Sequence, residues 1–210
     1  MTSARRAGLR AVLQRSRRLG FLGPGSLRVQ EDHALGFAVG LTVLPERFLD
    51  LGSGGGVPGL VLAMHWPASE GVLLDASERR CAFLTEVIDE LGLADRMTVV
   101  RARAEAAGRR RDLRAAADIV VARGFGPPAA TAECGAPFLA VGGRLLVSEP
   151  PEGAAVEGTA RWSAEGLARL GLAVDREWAE PYHYRSFRLE RSCPETYPRR
   201  DGVPAKRPLF

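Results

Sequence analysis

The chain has little of what several function classes require. Its 210 residues contain three cysteines, Cys81, Cys134 and Cys193, too few and too widely spaced for a disulfide framework or a zinc pattern. Reduced cytoplasmic thiols are the expectation. No apolar run approaches the roughly 20 residues needed to span a bilayer. The nearest candidate, 34–44, is short and holds two glycines. Arginines near the N-terminus are followed by no apolar segment of the secretory kind, although an organellar presequence of similar composition stays open. His, Cys, Asp and Glu show no metal-ligand spacing, no Ser/His/Asp or Cys/His set can be assembled, and no internal repeat or low-complexity tract is present. Lysine is almost missing: Lys206 is the only one.

The formal net charge of +4 is therefore carried by arginine, and its placement is uneven. Arg5, Arg6, Arg10, Arg15, Arg17 and Arg18 open the chain without an acidic residue among them, and Arg199, Arg200, Lys206 and Arg207 crowd its end. Two basic ends around a balanced middle suit an anionic macromolecule. The opening segment reads as an amphipathic helix, with Leu9, Val12, Leu13, Ser16 and Leu19 on one stripe. A second helix is expected from about Asp32 to Leu44, carrying a lone His33, which is more often packed than catalytic.

What is abundant is glycine, in one place. Phe48 to Gly59 reads Phe-Leu-Asp-Leu-Gly-Ser-Gly-Gly-Gly-Val-Pro-Gly, an apolar run ending in a turn. A backbone that passes close to a ligand cannot carry β-carbons, and glycine alone adopts positive φ without strain. Gly52, Gly54 and Gly56 are assigned to that turn, and Pro58 to the start of a helix whose positive end faces a ligand. Strand and helix then alternate. Strands are expected at Gly71–Asp75, Met97–Val100, Asp118–Ala122 and Arg144–Ser148, followed by two more around Leu172–Trp178 and Tyr184–Leu189 joined through Glu180-Pro181. Helices are expected after Pro58, after Ser77, from Pro128 to about Leu139, and after Ser163. This is an α/β fold with a mostly parallel seven-stranded sheet and helices on both faces.

Ligands of such sheets bind beyond the carboxyl ends of the strands. The glycine turn follows the first strand. Asp75 ends the second, roughly twenty residues on, the offset of a carboxylate that accepts ribose hydroxyls. Ala104-Glu105 follows the third, where backbone groups can read an adenine edge. Gly54-x-Gly56-x-x-Gly59 also satisfies the dinucleotide fingerprint, so NAD stays open. S-adenosyl-L-methionine fits a chain of this length better, because it occupies one half of the sheet and needs no second domain.

Asp50 to Gly59, the Ala104-Glu105 pair, Ala122-Arg123-Gly124-Phe125, Gly142-Gly143-Arg-Leu-Leu and the tail Tyr197-Pro-Arg-Arg-Asp-Gly-Val-Pro-Ala-Lys-Arg-Pro-Leu resemble the bacterial small-subunit ribosomal RNA guanine-N7 methyltransferases, the glucose-inhibited division protein B family. The resemblance runs from about His33 to the C-terminus. It implies a class I methyltransferase of Rossmann-like fold, with a helical extension at 1–45, the methyltransferase domain at 46–191 and a basic tail at 192–210. It also implies S-adenosyl-L-methionine as cofactor, held by Gly52, Val57, Ala104, Glu105 and Arg123, to which the reading of the turn and strand end adds Ser53, Gly54, Gly56 and Asp75. Arg123 is the expected catalytic residue, and Arg199, Arg200, Lys206 and Arg207 are expected on RNA. The partner it implies is ribosomal RNA or the small ribosomal subunit, for a cytoplasmic monomer without metal or membrane attachment.

The sequence departs from the family pattern at Asp32, where an arginine is usual, and at Val147-Ser-Glu-Pro150, where a lysine is common. These departures leave open a methyltransferase acting on another RNA or a small molecule, or a non-catalytic RNA-binding factor in ribosome assembly. The tail, rich in proline, is expected to fold back near the site or onto RNA, and not as helix.

Overall fold

The computed structural model describes residues 2–39, 41–150, 161–179 and 182–210. Helices α1 (Ser3–Arg18) and α2 (Leu27–Val39) precede an alternation of β1 (Arg47–Leu51), α3 (Gly59–His65), β2 (Glu70–Asp75), α4 (Glu78–Glu90), β3 (Met97–Arg101), α5 (Ala104–Ala107), β4 (Ala117–Ala122), α6 (Pro128–Gly135) and β5 (Leu139–Ser148). Helix α7 (Ala164–Arg169), strands β6 (Leu172–Trp178) and β7 (Tyr184–Leu189), and a single turn, α8 (Val203–Lys206), complete it. The seven strands lie in the order β3-β2-β1-β4-β5-β7-β6. The first five are parallel, and β7 runs antiparallel to both β5 and β6. The sheet order reverses beside β1, between its neighbours β2 and β4, which puts the binding edge at the carboxyl ends of these strands.

Both faces of the sheet are buried, as the near-continuous apolar strands require. Successive residues alternate between two cores: Phe48, Leu73, Ile119, Val121 and Leu146 face one, and Leu49, Leu74, Val120, Leu145 and Val147 the other. The first core is covered by α1 to α4 through Leu9, Leu13, Phe37, Leu60, Leu62, Leu84 and Val87. The second is covered by α5 to α7 through Ala107, Ala132, Cys134 and Leu167. Residues 1–45 thus share a core with the sheet through the described part of α1 and α2.

Several element boundaries differ from the sequence expectation for local reasons. Helix α2 starts five residues earlier than Asp32, because the Ser26 hydroxyl accepts from Arg28 N at 3.2 Å and its carbonyl from Gln30 N at 3.1 Å, which caps the first turn. It stops at Val39; Thr42 and Val43 are β-branched, and Leu44 precedes Pro45. Strand β5 begins at Leu139 and takes in Gly142-Gly143 as an irregularity in its pairing with β4, with Gly142 at φ 90°. The expected link through Glu180-Pro181 falls outside the described residues. The tail is helical after all over one turn, α8, whose second residue Pro204 needs no hydrogen-bond donor there.

Candidate active site

The turn after β1 is fixed by its own backbone. Gly52 N and Ser53 N both donate to Leu74 O at 2.9 Å, and Gly56 N donates to Ser53 O at 2.8 Å. Gly52, Gly54 and Gly56 have φ of 76°, 54° and 95°, the left-handed region expected of them. Helix α3 starts at Gly59, with Pro58 as its N-cap. Asp50 closes the turn from beneath: its Oδ2 accepts from Gly59 N at 2.9 Å, while Oδ1 is buried without a partner. Burial pushes the Asp50 carboxyl up to about 7 against the opposing pull of the Gly59 N–H. Ser53 is buried, and its hydroxyl donates to the Asp50 carbonyl at 3.0 Å. Val57 is buried in the first core.

Asp75 stands at the end of β2 as expected and grips the turn itself. Its Oδ2 accepts from Gly54 N and its Oδ1 from Ser77 N, at 2.9 and 2.8 Å. Beside it opens a cleft of about 190 Å³, lined by Gly52, Asp75, Ala104 and Glu105 on one side and by Phe125, Ala130 and Cys134 on the other. The Phe125 ring lies against Gly52 so closely that a β-carbon there would come within 2.8 Å of it. Apart from Arg103 and the two carboxylates the walls are apolar; Glu105 is taken up by Gly202 and Arg103, and Asp75, which accepts from Gly54 N and Ser77 N, has further lone pairs for a ribose diol beside a slot for the purine ring. The residues present therefore fit the adenosine half of S-adenosylmethionine. A larger hollow of about 770 Å³ lies between α1, α2 and α3 and reaches His65, at the end of α3 remote from the glycine turn. Its Arg10 and Arg28 are paired with Glu31 and Asp32, so it offers no comparable chemistry.

Arg123, at the end of β4, does not line that cleft. Its Nη2 donates to Gln30 Oε1 on α2. Burial lowers the guanidinium from its ordinary value, against the attraction of Tyr184 and Asp50. His33 lies in the same group of side chains, with its ring 4.8 Å from that of Tyr182 and 5.4 Å from that of Tyr184. Its Nδ1 is buried without a partner, and burial, together with the charge of Arg123, lowers its pKa to about 4, so it is neutral at pH 7. Sequence reasoning passed over Gln30 and Tyr182 and treated His33 as packing. The signal available was the position of α2 just before the strand that leads to the glycine turn.

The expected RNA-contact residues of the tail divide. Arg200, Lys206 and Arg207 are exposed. Arg199 is not a free cation: its Nε and Nη2 donate to the two oxygens of Glu133 at 2.9 and 2.6 Å, and its backbone N to Oε1 at 2.8 Å. Glu133 is completely buried, so this arginine neutralises an interior carboxylate. The Glu105 carboxylate is likewise occupied, accepting from Gly202 N at 2.9 Å and Arg103 Nη2 at 3.2 Å. Burial opposes its ionisation, but these donors hold its pKa below the ordinary value. Glu149, in the segment after β5 that departs from the family pattern, is held by Arg161 at 2.7 Å and by the Trp162 Nε1–H. Among the described residues, no group of three His, Cys, Asp or Glu could hold a metal ion, and no helix is long and apolar enough to cross a membrane.

The fold is that of solved methyltransferases. A putative O-methyltransferase from Klebsiella pneumoniae superimposes with a TM-score of 0.61 at 13% identity, over 88% of this chain and 90% of that one. Cofactor-bound Rv0187 from MTB gives 0.61 at 16% identity with the same coverage. Sequence similarity is more specific. The ribosomal RNA small subunit methyltransferase G of Moorella thermoacetica is 34% identical over 170 residues, 78% of this chain and 69% of that protein. The protein of the same name from Roseiflexus castenholzii is 36% identical over 174 residues, 79% and 72% of the two chains. The family model for GidB, rRNA small subunit methyltransferase G, matches residues 28–168, from α2 through the glycine turn, Asp75 and Arg123 to α7, and the chain belongs to that family.

Proposed function

We propose that this chain transfers a methyl group from S-adenosyl-L-methionine to N7 of a guanine in small-subunit ribosomal RNA, acting as a monomer in the cytoplasm. One observation carries the reading: a purine-sized cleft rimmed by Asp75 lies beside the glycine turn, and a half-buried Arg123 stands at the adjoining strand end. The sulfonium cofactor supplies an electrophilic methyl group. Guanine N7 carries an in-plane lone pair and no proton, so the acceptor needs no general base. A site with no acid–base pair is therefore sufficient, and the chain's contribution is alignment and exclusion of water.

In this reading the Gly52–Gly56 turn and Asp75 hold the nucleoside end of the cofactor, with Ser53 and Val57 supporting the turn from within the core. Ala104 and Glu105 present their backbone to the adenine edge. Arg123 is the catalytic residue, and N7 must stay free, so its contact is with guanine O6, a phosphate or the cofactor carboxylate rather than the usual fork onto O6 and N7. The Arg123 Nη2 is engaged by Gln30 Oε1, and its other N–H donors serve the ligand. N7 faces the deep groove of A-form RNA, which side chains enter poorly, so the target base is unpaired or splayed out. Arg200, Lys206 and Arg207 are the tail residues available to phosphates; Arg199 is excluded by its bond to Glu133.

The test is transfer of labelled methyl to small ribosomal subunits from cells lacking this protein, with mapping of the modified base. Label at a guanine N7, lost in Arg123→Ala while the thermal transition is kept, is the expected result. No label on any RNA, or full transfer by the variant, would overturn the acceptor or the role of Arg123 respectively.

A further inference from the structure

The C-terminal tail is tied to the domain along its length, and two of the ties, at Glu133 and Glu105, lie at or beside the candidate cofactor cleft. Arg114 donates through Nη1 to Tyr197 O at 2.9 Å and through Nη2 to Cys193 O and Pro194 O at 2.8 and 3.1 Å. Arg109 donates to the Pro198 carbonyl. Arg199 grips Glu133 on α6, one residue before Cys134 of the cleft lining. Gly202 N donates to Glu105, itself in the lining. Beyond Gly202 the chain turns into α8 and brings Pro204 and Ala205 into the same lining as Asp75 and Ala104, and Phe210 then packs on Gly166 of α7.

We propose that this strap, 199–207, is a wall of the cofactor pocket, that Ala205 and Pro204 contact the bound nucleoside, and that Glu105 is a positioning residue that acts through the Gly202 N–H. The proposal rests on the reading of the cleft as the S-adenosylmethionine site. It adds a role for the Glu105 side chain to the backbone role expected from the sequence: the carboxylate serves the strap, and the backbone of Ala104-Glu105 is left for the cofactor. The residues have the right chemistry for a wall. Pro204 is buried and rigid, so its ring is a fixed apolar surface at small entropic cost. Ala205 is exposed and lines the cleft, so a larger side chain there enters the cleft without disturbing the core.

The test uses the full chain and S-adenosylhomocysteine, read by calorimetry and by amide hydrogen exchange. Ala205→Phe is expected to keep the wild-type thermal transition and to weaken binding by about tenfold or more. Ligand is expected to slow exchange at Val203, Ala205 and Lys206 of the wild type. Glu105→Gln keeps an oxygen for Gly202 N and is expected to bind within about threefold of wild type, whereas Glu105→Ala weakens binding and speeds exchange across α8. Rescue by glutamine separates positioning from charge. If the wild type binds the ligand and Ala205→Phe binds it equally, the wall is refuted and the cofactor reading stands. If the wild type does not bind, both fall.

Discussion

Replacing Arg199 by alanine distinguishes an interior ion pair from a surface arginine waiting for RNA. Glu133 has no exposed side-chain surface, while the Arg199 side chain is 28% exposed. Three side-chain contacts from Nε and Nη2, at 2.6 to 3.1 Å, cover both carboxylate oxygens. Removing one partner of a buried pair typically costs about 3–5 kcal/mol, because the other charge stays buried and uncompensated. Here the backbone N–H of residue 199 still serves Oε1, and water reaches the outer part of the site, so the lower end, about 3 kcal/mol, is expected. For a chain of this size that corresponds to a fall in Tm of roughly 6–12 °C. Calorimetric unfolding of wild type, Arg199→Ala, Glu133→Gln and the double variant checks it. The cycle should return a coupling of about 2 kcal/mol or more, with the double variant more stable than the sum of the two losses. A Tm change under about 2 °C for Arg199→Ala, with negligible coupling, would refute the latch and return Arg199 to the list of RNA contacts.

Three further outcomes follow from particular contacts. Alanine at Gly55 would place its β-carbon 2.4 Å from Ser16 Oγ and 2.8 Å from the Phe21 carbonyl oxygen, so Gly55→Ala should lose about 1–3 kcal/mol in urea unfolding; wild-type stability would mean that α1 does not press on the turn. The Asp50 carboxyl, raised to about 7 from an ordinary 3.8, binds its proton more tightly in the folded chain, so its contribution to stability is lost as pH rises from about 4 to about 7, by up to roughly 4 kcal/mol. Asp50→Asn cannot titrate and keeps an oxygen for Gly59 N, so its urea midpoint should decline less over that window, and parallel declines would refute the assignment. Finally, the Arg200→Ala, Lys206→Ala, Arg207→Ala combination should lower the slope of log K against log salt for RNA binding by about two to three; an unchanged slope would place the RNA elsewhere.

The parts of the fold legible in the sequence are those whose physics is local. Parallel strands buried on both faces need apolar runs, a turn with positive φ needs glycine, and Ser77 and Ser163 cap α4 and α7 through their hydroxyls as their positions suggest. The layout of the candidate site was legible to the same depth: Asp75 ends β2 and Ala104-Glu105 come shortly after β3, and topology alone brings them to one edge. The tail was not legible, because what orders it is remote. Arg114 reaches Cys193 across 79 positions and Arg199 reaches Glu133 across 66, and no composition or period records a pairing of an arginine with a distant carbonyl or a buried acid. Proline was read as excluding helix from the tail, yet at the second position of a one-turn helix it removes no bond the helix makes. Gln30 was passed over for the same reason: its partner Arg123 lies 93 residues away, and only the α2 packing reveals the pair, while His33 is packed against Tyr182 and Tyr184 as read.

The glycine cluster has more than one cause, and separating them changes what it says about function. A β-carbon at Gly56 would strike Leu60 at 2.4 Å, at Gly59 the Asp50 carboxylate at 2.4 Å, and at Gly55 the side chain of Ser16 at 2.4 Å. Those three glycines are required by the protein's own packing: of α3 on its preceding turn, of Asp50 under the α3 N-terminus, and of α1 behind the turn. Ser16 adds a bond to the same contact, donating to Gly55 O at 2.9 Å from a fully buried position. Gly54 is different. Only Gly52 O comes within 4 Å of its β-carbon position, at 3.8 Å, and its own N–H is the donor to Asp75. Its glycine is demanded by φ alone, in the residue that joins the turn to the carboxylate at the rim of the cleft. Gly52 also meets the protein's own packing, since Phe125 stands 2.8 Å from its β-carbon position, so most of the glycine richness that first suggests a ligand is explained without one, and the cofactor reading stands on the cleft and Asp75. The basic helix α1, although outside the sheet, is a structural part of the turn: through Ser16 and Gly55 it supports from behind what Asp75 holds from in front.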